Sequence, residues 1–478
     1  MKMELRIFKN TVVMIIQPLI LNLISLSVIG YTARKLGIQD FGTFNLALLF
    51  STLFYPLGVM GLNSVFVRDV SRVRENKETS EAYIGRLLGL RWCIIGVAVI
   101  MVILAALIMH YPPKVFKAIC VAALILGAQL LSESICDVFS AHERMEYTAF
   151  VGFISGLTLT VLSVVVLYLG MGVLAVLFVY ALGQILGVAL SMLILKKRFV
   201  RLRLAIDYLF WKKKLLEGLP FVGMSLIWAG MLRFDTIILS KAVSAIDLGL
   251  YTTGMMLITK INLIPEAAGS SLYPAISNLH ANKRDDDIRY VIQKTLSSIL
   301  TIALPISIGT CFYGKEIIRL IFGSSYERAG WILSVAIWAL VMRCYQFVEF
   351  SALAATNKHQ TTLRAYIVAG LSCLVLNLLL TLPFKMGGAL ASFLGAQLVL
   401  TVLFTVATVR EHPGCVSLSG MKRMLTLNVC LVMLLVLLKP FSFPIVLVVS
   451  GLFYVCGILG FGIISVSQLK QFKQAYRR

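Results

Sequence analysis

Seven charged side chains lie deep within long apolar runs of this sequence. They are the basic residues Arg91, Arg233, Lys260 and Arg343 and the acidic residues Asp235, Glu266 and Glu349. A charge at the centre of a bilayer costs about 2.5–3.5 kcal/mol on insertion scales, so it usually faces a protein interior or an aqueous cavity. The four basic residues therefore predict a cationic cavity for an anionic ligand, above all a phosphate, because arginine presents a fork of donors to its oxygens.

Two other roles compete with ligand binding at the four basic positions. The side chains could form ion pairs that hold helices together, or they could extend along the lipid so that their charged ends reach the interface. Arg91 lies nearest the predicted inner boundary, which favours the second role there. Arg233 and Asp235 are two residues apart and point to different faces of a helix, so they cannot simply neutralise each other.

The acidic residues indicate a second kind of chemistry, the exchange of an ion. We expect Asp235, Glu266 or Glu349 to take up and release a proton in a conformational cycle, although a fixed ion pair with a neighbouring basic residue explains them equally well. No glycine-rich phosphate loop, nucleophile elbow or cluster of metal-binding residues occurs in the sequence. We therefore expect neither an enzyme nor a bound metal or cofactor.

Membrane-spanning helices must position these residues. Hydrophobic residues make up 59% of the 478-residue chain, charged residues make up 14%, and the mean hydropathy is +0.91. The apolar residues form about fourteen runs of bilayer length, which predicts an all-α polytopic membrane protein. We number them as spans 1 to 14, with approximate limits 11–34, 41–66, 84–109, 115–138, 148–169, 173–195, 218–241, 249–273, 291–313, 329–355, 361–382, 388–409, 424–439 and 443–466. The last pair of runs is the least regular, because Pro440 and Pro444 interrupt it. The net charge of +22 lies mainly in loops between the runs, which argues against a nucleic-acid partner.

The distribution of basic residues predicts the orientation of the chain. With the N-terminus in the cytoplasm, the inner segments hold 30 lysine and arginine residues and the outer segments hold 10. Cytoplasmic loops are enriched in these residues, so the threefold bias places both termini inside the cell. The most basic stretch, 196–217, then also lies inside, and its part 204–217 reads as an amphipathic helix on the anionic inner leaflet.

A short motif occurs twice and indicates an internal repeat. Residues 40–44 have the pattern Asp-x-Gly-x-aromatic, and residues 247–251 have it again, both on the predicted outer side. A second pair, GVLA at 172–175 and GALA at 388–391, opens the predicted spans 6 and 12. The offsets are 207 and 216 residues, which favours two six-helix lobes related by an axis along the membrane normal. The predicted segments are an N-terminal lobe (1–203), the amphipathic connector (204–217), a C-terminal lobe (218–410), and a C-terminal helix pair with a basic tail (411–478).

Several longer stretches resemble one family in the same order along the chain. They are LGIQDFGTFNLALLF (36–50), LPFVGMSLIWAGMLRFDTIILSK (219–241), IDLGLYTTGMMLI (246–258), IIRLIFGSSYERAGWILSVAIWALV (317–341) and MGGALAS (386–392). They are similar to the polysaccharide-repeat flippases, which are the O-antigen or Wzx-type transporters of the MOP exporter superfamily. The paired six-helix lobes of that family fit the repeat.

The resemblance implies a flippase of the bacterial inner membrane. Such a protein moves undecaprenyl-diphosphate-linked oligosaccharide from the inner to the outer leaflet for O-antigen, capsule or exopolysaccharide synthesis. It works by alternating access driven by a proton or sodium gradient, among membrane lipids and with a polysaccharide polymerase and a chain-length regulator as partners. Two alternatives are a flippase for the lipid-linked peptidoglycan precursor and a multidrug or organic-cation antiporter of the same superfamily. Cationic substrates would favour deep acidic residues in the first three spans, where Arg91 is the deep charge.

Overall fold

The computed structural model describes residues 2–73, 77–199, 205–415 and 418–460, and nearly all of them are α-helical. The helices are α1 (Lys2–Val59), α2 (Leu62–Val73), α3 (Lys77–Ile108), α4 (Pro113–Ala141), α5 (Met145–Tyr168), α6 (Val173–Arg198), α7 (Tyr208–Met231), α8 (Phe234–Ala242), α9 (Ala245–Ile261), α10 (Leu263–Ala281), α11 (Asp285–Phe322), α12 (Gly330–Ala336), α13 (Trp338–Ala355), α14 (His359–Glu411), α15 (Leu418–Leu437) and α16 (Phe443–Gly460). A 3₁₀ helix, Ser324–Ala329, joins α11 to α12. No β-strand occurs in the ranges described, and the all-α prediction is confirmed.

Two helical elements are too long for one membrane crossing, and each contains a break. About 20 residues span the apolar core of a bilayer, whereas α1 has 58 residues and α14 has 53. The break in α1 is at Gly37, whose φ of 75° suits glycine, shortly before the first Asp-x-Gly-x-aromatic motif. The break in α14 is at Lys385, with φ 51° and ψ −127°, between the predicted spans 11 and 12. Each element is therefore two helices joined by a sharp turn.

Several helices of the described chain can cross a membrane by their length and hydropathy. Eight qualify, or nine when the bent pair Ser324–Ala336 and Trp338–Ala355 counts as one span. That pair bends by 41°. The polytopic membrane fold is thus confirmed, whereas the number fourteen stays a prediction. The predicted last pair corresponds to α15 and α16, two separate helices on either side of Pro440.

The chain packs as two compact units. The amino unit contains the described residues of Tyr31–Gly249 and Cys373–Ala389, and the carboxyl unit contains those of Met1–Gly30, Leu250–Ser372 and Leu390–Arg478. In the amino unit, α2 to α6 surround an apolar cluster that includes Phe66 and Phe139. In the carboxyl unit, α10, α11 and α13 share a cluster that includes Ile276 and Val348. The lobe boundaries at 203 and 218 stay a prediction.

The connector predicted at 204–217 continues into the next span without interruption. From Tyr208 onward it is the first part of α7, which runs on to Met231. The Trp211 indole donates to the backbone carbonyl of Arg86 at 2.9 Å, and the Lys214 ammonium donates to Asp69 at 2.7 Å. Lys214 is only 7% exposed, so this ion pair is buried. The start of α7 is therefore fixed to α2 and α3 within the amino unit.

The same ion pair sets the protonation behaviour of Asp69, which lies beyond the apolar part of its helix. Burial acts to raise the pKa of the Asp69 carboxyl, but hydrogen bonds from Arg68, Lys214 and Tyr83 outweigh it and lower this pKa to about 2. Burial likewise acts to lower the pKa of the Lys214 ammonium, yet its bonds to Asp69 and Glu217 raise it. Both groups therefore keep their charges at neutral pH.

The two copies of the Asp-x-Gly-x-aromatic motif pack against each other in the amino unit. A Cβ atom on Gly42 would lie 2.9 Å from the Cα atom of Gly249 and 2.9 Å from the carbonyl oxygen of Ala245. A Cβ atom on Gly249 would overlap the carbonyl oxygen of Ile38. Ala245 follows Ile38, and Gly249 follows Gly42, by the offset of 207 residues. Each copy therefore makes the same contact with the other, and we call these four residues the glycine seam.

The other motif residues have different partners in the two copies. The Asp40 carboxylate accepts a hydrogen bond from Lys114 at 2.6 Å. The Asp247 carboxylate instead accepts one from the Ser244 hydroxyl at 2.9 Å, and that hydroxyl caps the first turn of α9. The aromatic residues of both copies, Phe44 and Tyr251, are buried.

Candidate functional site

Lys260 lies near the junction of two helices in the carboxyl unit. It belongs to the last turn of α9 and is half-buried, and its ammonium donates to the Ser25 hydroxyl at 3.1 Å. Within the part of the chain that the structure describes, Lys260 forms no ion pair with a carboxylate. α9 ends at Ile261 and α10 begins at Leu263, and Asn262 between them keeps helical dihedral angles, with φ −58° and ψ −18°. A half-buried cation whose hydrogen-bond partner is neutral is suited to bind an anion.

Arg233 occupies a comparable position in the amino unit. It lies between the end of α7 and the start of α8, so the predicted span 7 is interrupted at this residue. Arg233 is half-buried, and the described residues include no ion-pair partner for it. Asp235 is buried and accepts hydrogen bonds from the backbone and hydroxyl of Thr236, at 2.7 and 3.2 Å. As the spacing predicts, Arg233 and Asp235 do not neutralise each other.

Arg343 and Glu266 belong together in the carboxyl unit. Arg343 on α13 is 1% exposed, and its guanidinium carbon lies 5.8 Å from the centre of the Phe393 ring. Its positive charge lies near enough to Glu266, an exposed residue in the first turn of α10, to act on that carboxylate. Arg343 is therefore compatible with an ion-pair role as well as with ligand binding.

Glu349 is the most deeply buried of the predicted coupling residues. It is 0% exposed, and neither of its carboxylate oxygens has a hydrogen-bond partner among the described residues. The Thr405 hydroxyl on α14 is close enough to act on the carboxylate but makes no hydrogen bond of ordinary geometry with it. A charged carboxylate in this position is costly, so binding a proton or a small cation stabilises it.

Two glutamines complete a polar layer with Glu349 between α13 and α14. The Gln346 amide donates to the side-chain oxygen of Gln397 at 3.1 Å and to the Thr401 hydroxyl at 3.0 Å. The remaining amide oxygen of Gln346 and amide nitrogen of Gln397 are buried and have no hydrogen-bond partner among the described residues. We did not predict these glutamines from the sequence. The signal was present, since Gln346 lies three residues before Glu349 and so next to it on the helix.

Arg91 is neutralised within the amino unit. One guanidinium nitrogen donates to the Asp137 carboxylate at 2.6 Å and the other to the Asn63 side chain at 2.5 Å. Arg91 is 1% exposed, so its charge does not reach a lipid edge. These contacts favour the ion-pair role for Arg91 over the snorkelling role. Its assignment to ligand binding stays a prediction.

A second carboxylate, Glu133, lies one turn before Asp137 on α4. The Tyr55 hydroxyl donates to Glu133 at 2.7 Å, and the Gln129 amide donates to it at 2.9 Å. Both donors are neutral, so Glu133 is hydrogen-bonded but not ion-paired with any residue in the described ranges. The amino unit therefore contains two half-buried carboxylates on α4, one of which pairs with a buried arginine of α3.

An apolar groove runs between α11, α15 and α16 in the carboxyl unit. Its volume is about 510 Å³, and its walls include Pro305, Leu431, Phe443 and Val446. Few polar groups reach it, and one of them is the hydroxyl of Tyr313, which has no hydrogen-bond partner among the described residues. The C-terminal helix pair thus forms one wall of a site suited to a hydrocarbon chain.

The structure thus places the predicted residues in two groups. Lys260, Glu266, Arg343 and Glu349 belong to the carboxyl unit, and Arg91, Arg233 and Asp235 belong to the amino unit. Arg343 interacts with Glu266, whereas Lys260 and Glu349 have separate surroundings. One cavity shared by Arg233, Lys260 and Arg343 stays a prediction.

Two protein-family models together match most of the chain. The family model described as polysaccharide biosynthesis protein matches residues 7–280, which is more than half of the chain. The MatE family model matches residues 220–382.

Three curated relatives are described as flippases or transporters. Two are the Haloferax volcanii flippases AglR, 29% identical over 38% of this chain, and Agl15, 23% identical over 35% of it. The matches span only 38% and 36% of the lengths of those two relatives. The third is described as an O-antigen transporter of Shigella flexneri and is 24% identical over 74% of this chain and 86% of its own length.

Two solved structures have the same fold. The lipid II flippase MurJ in an inward closed conformation aligns over 91% of this chain and 95% of its own, with a TM-score of 0.75 and 14% identity. An inward-facing multidrug resistance MATE transporter of the MOP superfamily aligns over 82% and 94%, with a TM-score of 0.67 and 13% identity. At these identities the similarity shows the fold alone.

Proposed function

The chain belongs to the polysaccharide biosynthesis protein family, the polysaccharide-repeat flippases of the MOP exporter superfamily, and from that membership we propose that it moves lipid-linked oligosaccharide repeat units across a membrane. The substrate that we propose is undecaprenyl-diphosphate-linked oligosaccharide, carried from the inner to the outer leaflet of the bacterial inner membrane. The oligosaccharide in the outer leaflet would then be available to a polymerase and a chain-length regulator.

The observation that carries this proposal is the Lys260 ammonium. Its hydrogen-bond partner, Ser25, is neutral, and it forms no ion pair with a carboxylate among the described residues. A diphosphate supplies the negative charge that such a cation lacks. Arg233 supports the same interpretation, because it lies at a helix break without an ion-pair partner in the described chain. We therefore propose Lys260, Arg233 and Arg343 as ligands of the diphosphate.

The apolar groove of α11, α15 and α16 supports a lipid substrate. A polyprenyl chain is a long hydrocarbon, and the groove offers apolar walls with few polar groups. Burial of hydrocarbon in such a groove needs no hydrogen-bond partners, unlike burial of the sugar and diphosphate. We propose that the polyprenyl chain occupies this groove, with Leu431 and Val446 among the residues that it contacts.

Glu349 is our candidate for coupling transport to a proton or sodium gradient. Its buried carboxylate without a hydrogen-bond partner is stabilised when it binds a cation. Glu266 is a weaker candidate because the positive charge of Arg343 already acts on its carboxylate. Asp235 is a weaker candidate because its carboxylate already accepts two hydrogen bonds from Thr236. We expect Glu349→Gln to abolish the response of transport to an imposed gradient. A retained response would exclude Glu349 as the coupling residue.

A reconstituted flipping assay tests the substrate class. Proteoliposomes with the purified chain should move undecaprenyl-diphosphate oligosaccharide and should move neither a lipid-linked peptidoglycan precursor nor a cationic dye. Lys260→Met should reduce flipping at least tenfold, and Lys260→Arg should restore part of it because the charge survives. Lys212→Met, at an exposed lysine of α7, is the matched control. Movement of the dye instead of the oligosaccharide would contradict the proposal.

Cysteine labelling tests the proposed orientation in cells. In a variant without the native cysteines, Lys213→Cys should be protected from an impermeant reagent until the cells are opened, because Lys213 lies in the basic stretch predicted inside. Labelling in intact cells would show that the orientation is reversed.

A further inference from the structure

A groove with one charged and one apolar part lies between the start of α5 and the end of α6. Its volume is about 490 Å³, and both helices belong to the amino unit. Seven residues line it, namely Glu146, Tyr147, Phe150, Leu193, Ile194, Lys197 and Arg198. None of them belongs to the residues discussed above for the oligosaccharide.

The charged part of the groove is at the helix ends and is positive. Lys197 and Arg198 line it from the last turn of α6, and Lys196 adds a third charge in that turn. All three are exposed. Glu146 is the acidic residue of the lining, and the Arg144 guanidinium donates to it at 3.2 Å. An anion at this end therefore meets two lining cations and one carboxylate that is already paired.

The apolar part begins one helical turn deeper along each helix. Phe150 lies four residues after Glu146, and Leu193 lies four residues before Lys197. Phe150 is 51% exposed and Leu193 is 55% exposed. Hydrocarbon can therefore contact this wall while an attached anionic group remains at the basic helix ends.

We propose that this groove binds an anionic glycerophospholipid of the inner leaflet. A diacyl phospholipid carries a phosphate and two hydrocarbon chains in the order that the groove offers, from the helix ends toward the membrane centre. The predicted orientation places these helix ends at the cytoplasmic face, where anionic lipids are abundant. A soluble phosphate would use the cations but not the wall of Phe150 and Leu193. The site is separate from the proposed transport function.

Native mass spectrometry of the full chain in detergent tests the proposal. Phosphatidylglycerol should remain bound at lower concentrations than phosphatidylcholine. The double variant Lys197→Gln/Arg198→Gln should weaken phosphatidylglycerol binding by about tenfold or more. Lys315→Gln/Arg319→Gln, which removes the same charge at exposed residues of α11 on the predicted outer side, should leave it unchanged. Equal loss in both double variants, or equal binding of the two lipids, would overturn the site.

A fluorescence measurement locates the lipid independently of the charge variants. Phe150→Trp should be quenched by brominated phosphatidylglycerol at a lower mole fraction than by brominated phosphatidylcholine, relative to the unsubstituted chain. Inorganic phosphate at millimolar concentration should not reverse this quenching, because it cannot replace the acyl chains. Reversal by phosphate, or equal quenching by both lipids, would contradict a phospholipid site.

Discussion

Adding one methyl group at the glycine seam should destabilise the protein, whereas the same change on a lipid-facing helix should not. A Cβ atom on Gly42 would lie 2.9 Å from the Cα atom of Gly249, and carbon atoms in contact are normally about 3.5–4.0 Å apart. The two helices must therefore separate by roughly 0.6–1.1 Å. Overpacking of this kind typically costs about 1–3 kcal/mol.

The control for this substitution is Gly152, a helical glycine of α5 with no heavy atom within 4 Å of its added Cβ. Replacing glycine by alanine within a helix stabilises it by about 0.8–1 kcal/mol, so Gly152→Ala should raise the free energy of unfolding. Gly42→Ala gains the same helix stabilisation, but the overpacking lowers its free energy of unfolding. It should therefore be about 1–3 kcal/mol less stable than Gly152→Ala. Gly249→Ala should be worse, because its Cβ would overlap a backbone carbonyl that cannot rotate away.

Denaturant unfolding of the purified variants in one detergent measures these differences. The double variant Gly42→Ala/Gly249→Ala should lose less than the sum of the single losses, because helices already separated by the first methyl group accommodate the second. If Gly42→Ala and Gly249→Ala are as stable as Gly152→Ala, the close approach of the two motifs is wrong. Strict additivity would show that the two glycines do not share one contact.

Further substitutions test other parts of the structure by the same unfolding assay. Lys214→Met should lower the free energy of unfolding by about 1–3 kcal/mol at pH 7, because the buried Asp69 carboxylate loses its ammonium partner but keeps its hydrogen bonds from Arg68 and Tyr83. The pKa of Asp69 is lowered from 3.8 to about 2, so the stability that its charge contributes should be complete above about pH 4 and should disappear as the pH falls toward 2. If Asp69→Asn has the same pH profile of stability as the unsubstituted chain, this assignment is wrong. Lys385→Gly should raise the free energy of unfolding by about 1–3 kcal/mol, because φ 51° with ψ −127° is a strained conformation for any residue with a side chain. A loss of stability would show that the turn is not strained. Arg91→Leu should cost about 3–5 kcal/mol, and Arg91→Leu/Asp137→Leu should recover part of it, whereas equal losses would argue against their ion pair.

Composition and periodicity were sufficient to predict the class of fold. Long apolar runs require helices, because a helix satisfies its own backbone hydrogen bonds in lipid. The breaks in α1 and α14 lie between predicted spans, but the residues that adopt the positive φ were harder to predict. Gly37 is suggested by its residue type, whereas Lys385 is not, since a positive φ is unfavourable for lysine.

The candidate site was predictable in its residues but not in its pairings. Depth in the membrane identified Lys260 and Glu349 as costly charges, which requires only their place in an apolar run. Whether such a charge is neutralised depends on other helices. The pairing of Arg91 with Asp137 joins residues 46 positions apart, and no local spacing rule indicates it. Gln346 differs in this respect, because its spacing of three residues from Glu349 is a local signal.

The glycine seam also bears on how the chain arose. A contact in which each copy of a motif touches the other in the same way is the geometry of a two-fold homodimer. An ancestor of half this length could have formed the seam between two identical chains, and fusion of duplicated genes would have retained it. Since then the halves have diverged around it: Asp40 now binds Lys114, whereas Asp247 binds its own helix cap at Ser244. In a half-length ancestor the two aspartates would have been the same residue of two identical chains. That residue would have had to bind either a lysine or its own helix cap.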